Sequence, residues 1–127
     1  MKSEVIMTKT AELWIEDDIL RCKILPNAEV TVDDGKKIME ISMLLSNGKK
    51  IPVLADMKNI KTMSRDSRAY LSGEDAKKTA LALALVTKTP LSKIIGNFPL
   101  GLNKPSYPIK MFNSDMEAKE WLESFIK

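Results

Sequence analysis

A single α/β domain with a mixed sheet of about five strands is the fold class that this sequence predicts, in the order strand, strand, helix, strand, helix, strand, helix, strand, helix. Three observations predict it. An apolar–polar alternation with an aspartate pair at its middle opens the chain, short and almost wholly apolar runs follow, and helical periodicities separate these runs and close the chain. With 127 residues there is room for one sizeable core and not for two, so residues 1–10 read as a polar N-terminal segment and residues 11–127 as the domain.

Ala11, Leu13 and Ile15 alternate with Glu12, Trp14 and Glu16, and after Asp17 and Asp18 the alternation resumes as Leu20, Cys22 and Ile24 against Arg21 and Lys23. That pattern is a β-hairpin with one apolar and one charged face. Pro26 and Asn27 end its second strand. Thr31 suits an N-cap, and Asp33 and Asp34 in the first turn suit the positive end of the helix dipole. Val32, Ile38, Ile41 and Leu45 then recur at helical spacing until Asn47 and Gly48 supply a left-handed stop. Ile51, Val53, Leu54 and Ala55 form the kind of apolar run that parallel strands show when both faces are covered. Pro52 has no N–H for the ladder, so pairing is incomplete where this strand begins.

Ser64 caps a second helix over residues 65–78, with Ala69, Tyr70 and Ala76 turned inward. Gly73 weakens its middle by about 1 kcal/mol relative to alanine. Residues 81–86 read as a central buried strand. Thr89 and Pro90 open a third helix whose stripe is Leu91, Ile94, Ile95 and Phe98, and Pro99 kinks or ends it. Residues 107–112 give the last strand, and Ser114 with Glu117 has the spacing of a capping box. The helix it opens carries Ala118, Trp121, Leu122, Phe125 and Ile126 on one side.

Composition excludes much chemistry. The chain has no histidine, which removes the usual triads, the usual zinc sites and any histidine acid/base pair. No glycine-rich phosphate loop is present, since Gly96, Gly101 and Lys104 match neither the P-loop nor the dinucleotide spacing. The pairs Asp17–Asp18 and Asp33–Asp34 read as a hairpin turn and a helix start rather than as cation ligands, so no cofactor or metal is expected. The net charge is +3, and the basic pairs at 36–37, 49–50 and 77–78 are scattered among acids without aromatic platforms, which argues against nucleic acid. Cys22 is the only cysteine, on the apolar side of its strand. With no apolar run long enough to span a bilayer and no signal-peptide pattern, the expected location is the cytoplasm.

Three places remain as candidate sites. The turn after the third strand carries Asp56, Asn59, Ser64, Arg65, Asp66 and Ser67, and the carboxyl ends of strands in α/β sheets are where ligands and partners meet loops. Ser64 and Asp66 also read as simple helix caps. The segment 97–108 carries Phe98, Leu100 and Leu102, either an apolar ligand wall or interface, or packing under the sheet. Trp14 stands among charges on the outer face of the hairpin, as an interface anchor or a lone surface aromatic.

The stretch VLADMKNIKTMSRDSRAYL, residues 53–71, resembles the strand and switch loop of the STAS superfamily, the sulfate transporter and anti-sigma-factor-antagonist fold. A second stretch, IIGNFPLGLNKPSYPIKMF at residues 94–112, looks like a segment typical of the uncharacterised bacterial SpoIIAA-like (STAS/SEC14-like) branch, and the resemblance runs over residues 11–127. It implies a single-domain STAS-like fold. By the same resemblance Asp56 matches the strand-end aspartate and Ser64 the acidic position. Arg65 follows, Asp66 replaces the serine that anti-sigma antagonists have phosphorylated, and Ser67 replaces a glycine. An aspartate carries a fixed charge that no kinase can switch.

The expected function is therefore a non-catalytic regulatory or signalling module that binds another protein, without the phosphorylatable switch serine. A small apolar ligand or lipid site on the Phe98 wall is the alternative, and an enzyme using Asp56, Lys58 or Ser67 without histidine is a third. Homodimerisation through the hairpin edge or the third helix is compatible with each.

Overall fold

The computed structural model describes residues 2–71, 73–88 and 107–126. The sequence-predicted third helix, and with it Phe98, Leu100 and Leu102, lies outside the described residues. The elements in order are β1 (Ile6–Met7), β2 (Ala11–Glu16), β3 (Ile19–Ile24), β4 (Glu29–Val30), α1 (Val32–Ser46), β5 (Ile51–Asp56), β6 (Thr62–Met63), α2 (Arg65–Leu71), α3 (Glu74–Lys77), β7 (Ala80–Val86), β8 (Ile109–Phe112) and α4 (Asp115–Glu123).

The main sheet has six strands in the order β1-β2-β3-β5-β7-β8. Pairing is antiparallel from β1 to β3 and parallel from β3 to β8, the mixed α/β sheet that the sequence predicts. β7 is the reason the sheet is covered on both sides. Its Leu83 and Leu85 join Cys22, Ile24, Ile38 and Ile41 beneath α1, while Ala82, Ala84 and Val86 pack against Ala118 and Leu122 of α4. Phe112, Trp121 and Phe125 extend this second cluster, with ring centroids 5.7 and 5.0 Å apart. Leu122, with no exposed surface, anchors α4 to the sheet.

Local signals act where the sequence places them. Asp17 and Asp18 have φ of 55° and 66°, the left-handed pair that a two-residue hairpin turn needs. Thr31 caps α1: its hydroxyl accepts from the Asp34 amide, and the Asp34 carboxylate accepts in return from the Thr31 amide at 2.9 Å. Asn47, at φ 60°, ends the helix. The β5–β7 register shifts between Ile51 and Pro52, as the missing proline N–H requires.

Three expectations change. β1 adds a sixth strand within the segment read as polar and outside the domain, because its two ladder residues are too few to give an alternation. Its pairing with β2, extended by the Ser3 amide donating to Ile15 at 2.7 Å, covers the outer edge of the hairpin. The helix expected over residues 65–78 is two short helices, separated near Gly73, where glycine favours the break. Within the first of them Ala69 is exposed, and Ser67 takes the inward position.

Cys22 is buried and its thiol is pushed up from 9.0 to about 12, first by desolvation and then by the Asp56 charge. Between those values the unfolded chain has released a proton that the folded chain retains. Stability is therefore whole below about pH 9 and falls as pH rises towards about 12, by about 1.4 kcal/mol per pH unit at most. Urea unfolding of Cys22→Ala between about pH 8 and about pH 10 should show a shallower alkaline loss than the wild type; an equal slope would contradict this account of the thiol.

Candidate functional site

The parallel strands β3, β5, β7 and β8 all end on one side of the sheet, and the chain leaves them into α1, α2 and α4. The segment after β5 runs beside the segment after β3. Asn27, held at φ 65°, donates its amide to the Asn59 carbonyl at 2.7 Å. The Lys61 and Thr62 amides both donate to the Ala28 carbonyl, at 2.9 and 3.2 Å, and the Ser64 amide donates to Val30 at 2.9 Å. β4 and β6 form a parallel two-residue ladder between these bonds, and Lys61 pairs with Glu29 at 3.6 Å across it. The two loops thus form one ridge with a fixed backbone.

Asn59, Ser64, Arg65 and Asp66 are exposed on that ridge. Ser64 caps α2 by accepting from the Ser67 amide at 3.1 Å. The Asn59 side chain accepts from the Lys88 ammonium at 3.2 Å, which ties the ridge to the end of β7. Arg65 and Asp66 make no ion pair or hydrogen bond among the described residues, so two adjacent opposite charges face solvent. Asp56 and Ser67, expected with them, are withdrawn. Asp56 accepts from the Lys58 amide at 3.1 Å, and its carboxylate shares the Lys58 ammonium with Asp115 at 3.7 and 3.4 Å. This link fastens the loop to the start of α4.

Ser67 has no exposed surface, and its hydroxyl has no hydrogen-bond partner among the described residues. It lies against α1 where Gly35 omits a side chain: a Cβ at that position would sit 3.1 Å from Ser67 Oγ. Gly35 was the missed residue. Its signal was available, since a glycine inside a strongly capped helix costs about 1 kcal/mol and calls for a steric reason.

Trp14 lies away from the ridge, on the sheet face opposite α1. Its indole N–H donates to Glu16 at 2.9 Å and the Lys2 ammonium lies 5.1 Å from its ring centroid. Local charges thus occupy both its polar edge and one ring face. Among the described residues no group of three or more potential metal-ligating side chains gathers, and no helix is long and apolar enough to cross a membrane.

A mixed sheet with α1 to α3 on one face, α4 on the other and a ridge at the carboxyl edge defines a SpoIIAA-like α/β module. The fold is similar to the crystal structure of an uncharacterised protein of the DUF3478 family with a SpoIIAA-like fold from Shewanella loihica PV-4, with a TM-score of 0.51 at 13% identity over 95% of this chain and 93% of that one. The chain itself belongs to the family described as Domain of unknown function (DUF7793), which it matches over residues 13–126. No curated protein matches the sequence.

The Gly35–Ser67 contact sets a double-mutant test. Gly35→Ala alone should lower the thermal midpoint, because the buried Ser67 cannot give way and the overlap outweighs the roughly 1 kcal/mol helix gain. Ser67→Ala should raise it, since an unpaired buried hydroxyl costs about 1 kcal/mol or more. With Ser67→Ala in place, Gly35→Ala should become stabilising. Additive effects would show that the two positions do not touch.

Proposed function

We propose that the protein is a non-catalytic, protein-binding regulatory module that docks its partner through the ridge of residues 59–66, with Arg65 and Asp66 as the charges that recognise it. The observation that carries this reading is the exposed Arg65–Asp66 pair, whose side chains have no partner among the described residues although the backbone is fixed on both sides. A platform already ordered in the free protein loses little conformational freedom on binding. Adjacent opposite charges select a partner with the complementary pair and set the docking orientation.

Asp66 supplies a permanent charge, so the module docks constitutively and its regulation comes from the availability of the partner. The buried Ser67 supports the same reading, because phosphorylation there would require α2 to leave α1. The absence of histidine, together with a Lys58 held between carboxylates, supports a binding role over a catalytic one. A single buried thiol suits the cytoplasm as its working compartment.

The test is affinity capture from the native cell with the wild type, with the charge reversal Arg65→Glu/Asp66→Arg, and with Trp14→Ala. A protein retained by the wild type and by Trp14→Ala should fall at least tenfold with the reversal, about 1.4 kcal/mol, while circular dichroism stays unchanged. Equal retention by the reversed ridge would sink the site, and loss through Trp14→Ala alone would move it to the hairpin face.

A further inference from the structure

Between the sheet and α1 lies a cavity of about 70 Å³ whose surface is almost entirely carbon and sulfur. Val53, Ala55, Leu83 and Leu85 form its floor, and Ile38 and Met39 of α1 lie over it. Three hydroxyls reach the wall, and each is already committed. Ser42 donates to the Ile38 carbonyl at 2.8 Å, Thr79 to the Ala76 carbonyl at 3.1 Å and the Met39 sulfur at 3.0 Å, and Tyr107 to the Leu71 carbonyl at 2.6 Å.

A water molecule needs roughly 10–15 Å³ of such space together with 2–4 polar partners. The first condition is met here and the second is not. A void whose lining is almost wholly apolar, and whose few hydroxyls have already spent their hydrogens on protein acceptors, stays dry and takes up an apolar guest instead, as an engineered cavity of roughly 150 Å³ in another protein takes benzene or xenon. The space here is about half of that, which sets the class of guest. It admits an uncharged molecule of a few heavy atoms with no hydrogen-bonding group and excludes a lipid tail, which needs several times the volume.

We infer that this cavity is a binding site for a small apolar molecule, bounded by the sheet, α1 and the residues that flank α2. The inference does not rest on the docking reading, since the cavity lies behind the ridge. Met57 and Met63, whose side chains line it at the two ends of the ridge segment, place reporter methyl groups in its wall.

Xenon is the probe, and methyl NMR of the intact protein under increasing xenon pressure is the measurement. Saturable shifts should appear at the Met39, Met57 and Met63 methyls and not at the exposed Met7 and Met116. Ala55→Val, which adds two methyl groups in the floor, should abolish them, with Ala80→Val as a second filling variant if the first fails to fold. Linear shifts of equal size at exposed and lining methyls, or cross-peaks between solvent water and the lining methyls, would overturn the inference.

Discussion

β7 is buried on both faces, and the two faces differ in size rather than polarity. Leucines at 83 and 85 fill the deep side beneath α1, while alanines at 82 and 84 leave room for α4 to lie close on the other. A strand of this kind has no solvent side to turn to, so its register against β5 and β8 is fixed by volume. Everything at the carboxyl edge inherits that register: Met57 donates its amide to the Val86 carbonyl, Thr87 to the Phe112 carbonyl, and Lys88 reaches Asn59. The position of the ridge is therefore a consequence of core packing in the strand next to β5.

The ridge has its own constraint in the approach of α2 to α1. Gly35 gives up helix propensity so that Ser67 can press against the α1 backbone, and the ladder of β4 with β6 aligns the two helix starts side by side. Asp56 and Lys58 complete the arrangement from the opposite flank by holding the loop to Asp115. Within this described loop, residues that look functional in the sequence thus divide into those that build the platform and those displayed on it. Only Asn59, Ser64, Arg65 and Asp66 are displayed, and Ser64 also serves as the cap.

Much of the fold was legible because it rests on short-range signals. The hairpin aspartates, the Thr31 cap, the Asn47 stop, the Pro52 irregularity and the Ala118–Leu122 stripe of α4 each act within a few residues, and the structure has each of them, whereas Ile126, read into that stripe, lies beyond the helix and is exposed. β1, β4 and β6 were illegible because a two-residue strand leaves no period to detect; their pairing is decided by neighbours distant in sequence. For the same reason the candidate loop was legible as a place but not as a set of side chains. Whether Ser67 faced solvent or α1 depended on the break near Gly73 and on the missing side chain at 35, and the cavity beneath α1 depended on how three strands and three connections fill space together.

The central claim is that the free protein already holds its ridge in a fixed shape. Amide hydrogen exchange measures this most directly, residue by residue, in the absence of any partner. The amides of Asn27, Lys61, Thr62 and Ser64 should exchange with protection close to that of β5, because each donates to a carbonyl across the two loops. Exchange of these four amides at the rate of an unstructured loop, with β5 still protected, would mean that the ridge is ordered only on binding and would contradict the account.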